Sequence, residues 1–239
     1  ASHLDWIIPR IQLGTWPEKR HISSQPYCPA CLASDVTPYY RKVWRYAFHP
    51  ICPKHGLLVD HCPNCGHSFS YLALGSATWS RYGIHALRHC TACGTPFTTP
   101  QHVTFDTLEQ RVLATQSVLM EGLETGWISH DNKSIPIALF LRGLHILAET
   151  LLNPDHGNSI SNWIAVHHPE LPSHEPNCLG EGNLEHQPSP ARARLLVLAY
   201  WLAQDWPKRW IALIQQTGIS ATACLPHMNR LPAWMQRRI

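Results

Sequence analysis

The 239-residue chain is long enough for one large domain or two small ones, and its 44% apolar content is enough to bury a core. Only 15% of residues are charged and the formal net charge is +3, which weakens any argument for nucleic-acid binding through global charge and leaves a local patch to carry it. No run approaches the roughly 18 consecutive apolar residues of a membrane-spanning helix, and no basic segment followed by an apolar one marks a secretory signal.

Residues 1–26 hold Trp, Pro and Arg without clear periodicity and read as an N-terminal arm. Residues 27–99 contain four pairs of one build: Cys28 with Cys31, Cys52 with His55, Cys62 with Cys65, and Cys90 with Cys93. A two-residue gap lets two side chains of one tight turn face the same metal. Pro follows the first Cys of three pairs, and Gly56, Gly66 and Gly94 follow the last ligand, where the chain often needs positive φ. Four such pairs in series point to two zinc ions rather than to disulfides.

Consecutive pairs would share an ion, although the 28/31 pair joining the 62/65 pair is an open alternative. All eight ligands are then filled, so both ions are structural and neither keeps a position for water. Seven thiolates around two divalent ions bring the metallated chain close to neutral. Closely paired cysteines without a secretory signal suit a reducing, cytoplasmic compartment. His49, His61 and His67 stand beside the ligands and are read as their surroundings rather than as substitutes. Cys178 and Cys224 are left over and read as small core residues.

Between the pairs, Tyr39 to Phe48 alternates basic and aromatic residues with the period of a strand. Arg41, Lys42 and Arg45, interleaved with Tyr39, Tyr40, Trp44 and Tyr46, suit a nucleic-acid or partner surface, and equally a strand with buried aromatics. Arg88 belongs with them, and Arg237 and Arg238 form a second small basic group with Arg230. Ser68 to Leu74 and Trp79 to Leu87 read as the strands of a zinc ribbon.

From residue 100 to 239 the pattern becomes helical. Asp106 and Glu109 form a capping box before a helix that ends near Gly126. Pro136 opens a second helix that stops at Asn153–Pro154, and Ser159 to His167 forms a third. Residues 169–190 are a loop rich in Pro, Gly and His. A fourth helix runs from about Pro190 to Ala203. Asp205 caps a fifth from Pro207 to Gln216, which ends at Gly218. The fourth and fifth also have the layout of a helix-turn-helix, and one or two short helices follow. The predicted fold is a small α+β fold in which a tandem zinc-ribbon or zinc-finger module precedes an all-α module.

Catalytic signatures are missing. The zinc-deaminase pattern needs His-x-Glu followed by Pro-Cys-x-x-Cys; no Pro-Cys-x-x-Cys follows the one His-x-Glu, His168-Pro-Glu170, and the chain has no P-loop, Gly-x-Ser-x-Gly or His-Glu-x-x-His.

The string Tyr27-Cys-Pro-Ala-Cys-Leu32, then Asp35, Pro38-Tyr-Tyr-Arg41 and Trp44, then Cys52-Pro-Lys-His-Gly56 and Cys62-Pro-Asn-Cys-Gly66, closed by Cys90 to Gly94, resembles the TniQ family. Trp6-Ile-Ile-Pro9 is similar to the lead into that family's zinc core, and Trp206-Pro207 to a turn of its helical part. The resemblance is dense over residues 6–97. The family's usual N-terminal helical segment is missing ahead of the core, so the chain looks truncated. His49-Pro50 stands where small or β-branched residues are common, and the comparison leads to the expectation that most of the long C-terminal DNA-reading region of the larger TnsD-type members is absent.

The resemblance implies a non-catalytic target-selection adaptor of transposition (DNA recombination). It would bind target DNA, or a guide-RNA effector complex in CRISPR-associated transposons, and recruit the AAA+ ATPase regulator. Members can form dimers. The alternative from the residues themselves is a stand-alone zinc-ribbon transcription factor.

Overall fold

Backbone hydrogen bonding in the cysteine-rich segment is made by tight turns rather than by long strands. The computed structural model describes residues 25–67, 81, 83–98, 104–173, 184–220 and 231–236. Its first helix, α1, is six residues long, Pro29–Ser34. Proline opens it, and the Cys28 Sγ accepts from Cys31 N at 3.4 Å, so the ligand turn is itself the helix start.

The strand expected over 39–48 is absent. Lys42–Arg45 is a 3-10 helix, continued by bonds from Tyr46 N to Val43 O (3.1 Å) and from His49 N to Tyr46 O (2.9 Å). A strand needs a neighbour for its N–H and C=O groups. No strand pairs with this stretch among the described residues, and successive turns satisfy the groups locally. Gly83–Arg88 is likewise a 3-10 helix where a strand was expected. Ser68 to Leu74 lies outside the described residues.

The strands that do form here are short. β1 (Ile51–Cys52) pairs antiparallel with β2 (Gly56–Leu57), with Cys52 opposite Gly56. Single bridges join Tyr27 to Val59 and His89 to Pro96.

The helical part follows its periodicity closely. α2 runs from Thr107 to Thr125 behind a complete capping box and ends at Gly126, whose φ is 82°. A hairpin not anticipated from the helical pattern comes next: β3 (Trp127–His130) and β4 (Lys133–Pro136). Asp131 and Asn132 make its turn with φ of 49° and 59°, the two left-handed positions of a tight hairpin.

α3 (Ile137–Leu151) starts directly after Pro136, and α4 spans Gly157–His167. α5 is Ser189–Gln204 and α6 is Lys208–Thr217. Asp205 does not cap α6: Pro207 holds the N-cap position, and Asp205 instead pairs with Lys208 at 3.6 Å. A short α7, Ala233–Gln236, closes the described chain.

The core is organised around α5, which packs on α2 and α3 and is buried along most of its length. Of the fourth and fifth predicted helices, therefore, α6 is the more exposed. Gly143 lets α7 approach α3. A Cβ there would collide with the edge of the Trp234 indole and lie 2.9 Å from Met235 Sδ. Ala47, Phe48 and Ile51 of the cysteine-rich segment are buried in this same helical core. The result is a small α+β fold with Cys/His clusters ahead of a helical assembly.

Candidate metal centres

Two groups of potential ligands converge: Cys28, Cys31, Cys52 and His55 in the first, and Cys62, Cys65, Cys90 and Cys93 in the second. The structure thus brings consecutive pairs together and separates 28/31 from 62/65. His49, His61 and His67 join neither group.

In the first cluster, His55 Nδ1 lies 3.3 Å from Cys28 Sγ, 3.2 Å from Cys31 Sγ and 3.7 Å from Cys52 Sγ. Cys31 and Cys52 are 3.7 Å apart at sulfur. In the second, the Cys62–Cys93 and Cys65–Cys90 sulfur separations are 3.9 and 3.7 Å. Ligands about 2.3 Å from a tetrahedral zinc would be separated by roughly 3.8 Å, and bonded sulfurs by roughly 2.05 Å. The clusters match the first spacing, and their cysteines are free thiols. Each cluster can therefore hold a metal ion, and its soft, sulfur-rich donor set is consistent with zinc.

Hydrogen bonding lowers one thiol in each cluster. A hydrogen bond from the Cys28 thiol pulls Cys52 down to about 4, helped by the backbone N–H groups of Lys54 and His55. The same bond pushes Cys28 up. Cys93 is lowered to about 5, chiefly by the Thr95 hydroxyl and backbone and by the Asn64 amide. Burial pushes Cys90 up to about 12. The residues following three of the pairs, Gly56, Gly66 and Gly94, all adopt positive φ (90°, 68° and 73°), as the turn requires.

The clusters differ in burial. Cys28, Cys31 and Cys52 are buried, whereas Cys65 and Cys93 are exposed. Tyr27 lies between them. It is fully buried, packs on Phe97 with ring centres 5.2 Å apart, and is raised by burial and then by the thiols of Cys62 and Cys90.

Polar contacts fasten this region to the helices. Glu109 of the capping box also accepts from Leu57 N (3.3 Å), and Gln116 Nε2 donates to Ile51 O (3.2 Å). Asp60, two residues before Cys62, accepts from Ser189 N at 2.6 Å and so serves as a remote cap of α5. Its other oxygen faces Arg192 Nη2 at 3.4 Å, and that nitrogen also donates to Ser189 Oγ at 2.8 Å. Arg192 is 1% exposed. Sequence reasoning missed Asp60, Ser189 and Arg192 as a unit. The available signal was a pair of arginines, Arg192 and Arg194, at the head of the apolar run that continues to Leu198. His49 is also buried and is lowered to about 4, first by burial and then by the Arg192 charge.

The basic-aromatic set does not form one open surface. Trp44 is 1% exposed and packs edge-on against Tyr40 at 5.2 Å, so it is not available for base stacking. Arg41 pairs with Asp35 at 2.9 Å and covers the rings of Tyr39 (4.6 Å) and Trp44 (5.0 Å). Arg88 donates to the carbonyls of Asp35 and Val36. Lys42 is exposed and Arg45 half-buried. Arg230, Arg237 and Arg238 lie outside the described residues, as do Cys178 and Cys224.

Two four-ligand Cys/His clusters packed against a helical core define a metal-binding module of the zinc-finger kind. The TniQ family model matches residues 8–59, a span that contains the whole first cluster. No curated protein and no solved structure matches the chain. Among the described residues, no helix is long and apolar enough to cross a membrane.

Proposed function

We propose that the chain is a non-catalytic target-selection adaptor of transposition. It engages target DNA, or a guide-RNA effector complex in a CRISPR-associated system, and recruits the AAA+ regulator of the transposase. The TniQ match over residues 8–59 carries this reading. The ligand count supports it: each cluster offers four protein donors, which leaves a tetrahedral ion no open position for a reacting water.

In this reading the ligands Cys28, Cys31, Cys52, His55, Cys62, Cys65, Cys90 and Cys93 hold two structural zinc ions. The adaptor works in the cytoplasm and can pair as a homodimer. Lys42 and Arg45, with Arg237 and Arg238, are the cations left for nucleic-acid or partner contact. Arg41 and Arg88 shape that surface from within.

The test is recruitment. Zinc-loaded protein is combined with the AAA+ regulator, ATP and target DNA or the effector complex, and regulator occupancy is followed by footprinting. The adaptor reading expects regulator at the target only when the chain is present. Tight, sequence-selective duplex binding by the chain alone, with no effect on the regulator, would make it a stand-alone zinc-ribbon transcription factor instead.

A further inference from the structure

Val36 is 88% exposed and Tyr39 55% exposed, an unusual pair of solvent-facing apolar groups within four residues. They sit on a loop that is held from several sides. Arg88, from the second cluster's half of the module, donates to the carbonyls of Asp35 and Val36. Arg41 bonds the Asp35 carboxylate at 2.9 Å and covers one face of the Tyr39 ring at 4.6 Å. Pro38 between them is buried. The loop therefore presents Val36 and the other face of Tyr39 in a fixed arrangement, which lowers the ordering cost of binding.

Its surroundings are positive. Asp35 is neutralised by Arg41, while Lys42 and Arg45 make no ion pair among the described residues. We infer that the Asp35–Tyr39 loop is a preformed protein-docking prong, in which Val36 and Tyr39 enter an apolar pocket on a partner whose rim is acidic. The guanidiniums that a phosphate backbone would need at this point, Arg41 and Arg88, are committed to holding the loop. The groups left at its tip are apolar. Both facts favour a protein partner over duplex DNA.

The inference rests on the adaptor reading, with the AAA+ regulator as the partner tested. Binding of the zinc-loaded full chain to the regulator is measured with ATP for the wild type, Val36→Asp, Tyr39→Ala and Lys42→Glu. Zinc content and melting temperature of each variant confirm the fold, since the substituted side chains are exposed. Val36→Asp and Tyr39→Ala are each expected to weaken binding about tenfold or more, as buried interface anchors do. Lys42→Glu should weaken it most at low salt.

Wild-type binding with no loss in Val36→Asp and Tyr39→Ala overturns the prong while leaving the adaptor reading intact. Absence of wild-type binding overturns both. A 30-base-pair duplex is the second probe. If the two substitutions abolish duplex binding and spare the regulator, the loop is a DNA wedge and the inference is wrong.

Discussion

The first cluster buries all three of its cysteines in a small core that Cys62 and Cys90 also enter, whereas half of the second cluster faces solvent. Around Cys28, Cys31 and Cys52, the neighbouring Ala47, Phe48 and Ile51 belong to the helical core, and Gln116 and Glu109 bond the backbone of β1 and β2. Around the second cluster, Cys65 and Cys93 are exposed, and the tie to the helices runs through Asp60 just before Cys62. The same donor chemistry is thus used once enclosed and bonded to the helices on either side of Cys52, and once half open to solvent. Loss of the first ion should propagate into the helices, and loss of the second should stay local.

The largest expected effect tests that contrast. Binding of a structural zinc supplies of order ~10 kcal/mol of folding free energy. Cys31→Ser should release the first ion and lower the melting temperature of the helical signal in circular dichroism. Cys93→Ser should release one ion while leaving most of that signal in place. Equal losses would erase the distinction.

Next in size is the tether of the second cluster. Asp60→Ala leaves Arg192 buried without its carboxylate and removes the remote cap of α5. Breaking a buried ion pair in this way costs about 3–5 kcal/mol, readable as a shift in the urea midpoint. Arg192→Met, which removes the charge together with its need for a partner, should recover much of the loss. If Asp60→Ala changes nothing, the second cluster is not fastened at this point.

His49 gives a smaller, pH-dependent effect. Its folded value of about 4 lies below the ordinary 6.5, so the unfolded chain binds the proton first. Stability should fall as pH drops from 6.5 towards 4, by up to about 1.4 kcal/mol per unit. Comparing His49→Gln with the wild type by urea denaturation at pH 7 and pH 5.5 isolates this contribution from acid release of metal. The smallest effect is expected from Arg41→Ala. Its ion pair with Asp35 and its contacts with Tyr39 and Trp44 are partly exposed, and the loss should be near 1 kcal/mol.

The ligands were legible because each pair is a local device, one turn with two donors, and the spacing survives whatever surrounds it. The capping box of α2 was legible for the same reason. The stretch from Tyr39 to Phe48 was misread because alternation along a chain does not say whether a neighbouring strand exists to complete it. Without one, Lys42–Arg45 closed into turns and buried Trp44. The β3–β4 hairpin was missed because its Asp131–Asn132 turn interrupts what reads as a linker between helices. Arg192 and Asp60 are 132 residues apart, and neither carries a local sign of the other. Contacts of that range follow from packing, which periodicity does not encode.

The central claim is that both centres are closed frames rather than reaction sites. X-ray absorption at the zinc edge of the loaded protein tests it most directly. The account predicts two zinc ions sharing seven sulfurs at about 2.3 Å and one nitrogen at about 2.0–2.1 Å, with no oxygen neighbour. An ion bound to water, or one missing a sulfur from the Cys62, Cys65, Cys90 and Cys93 set, would contradict it.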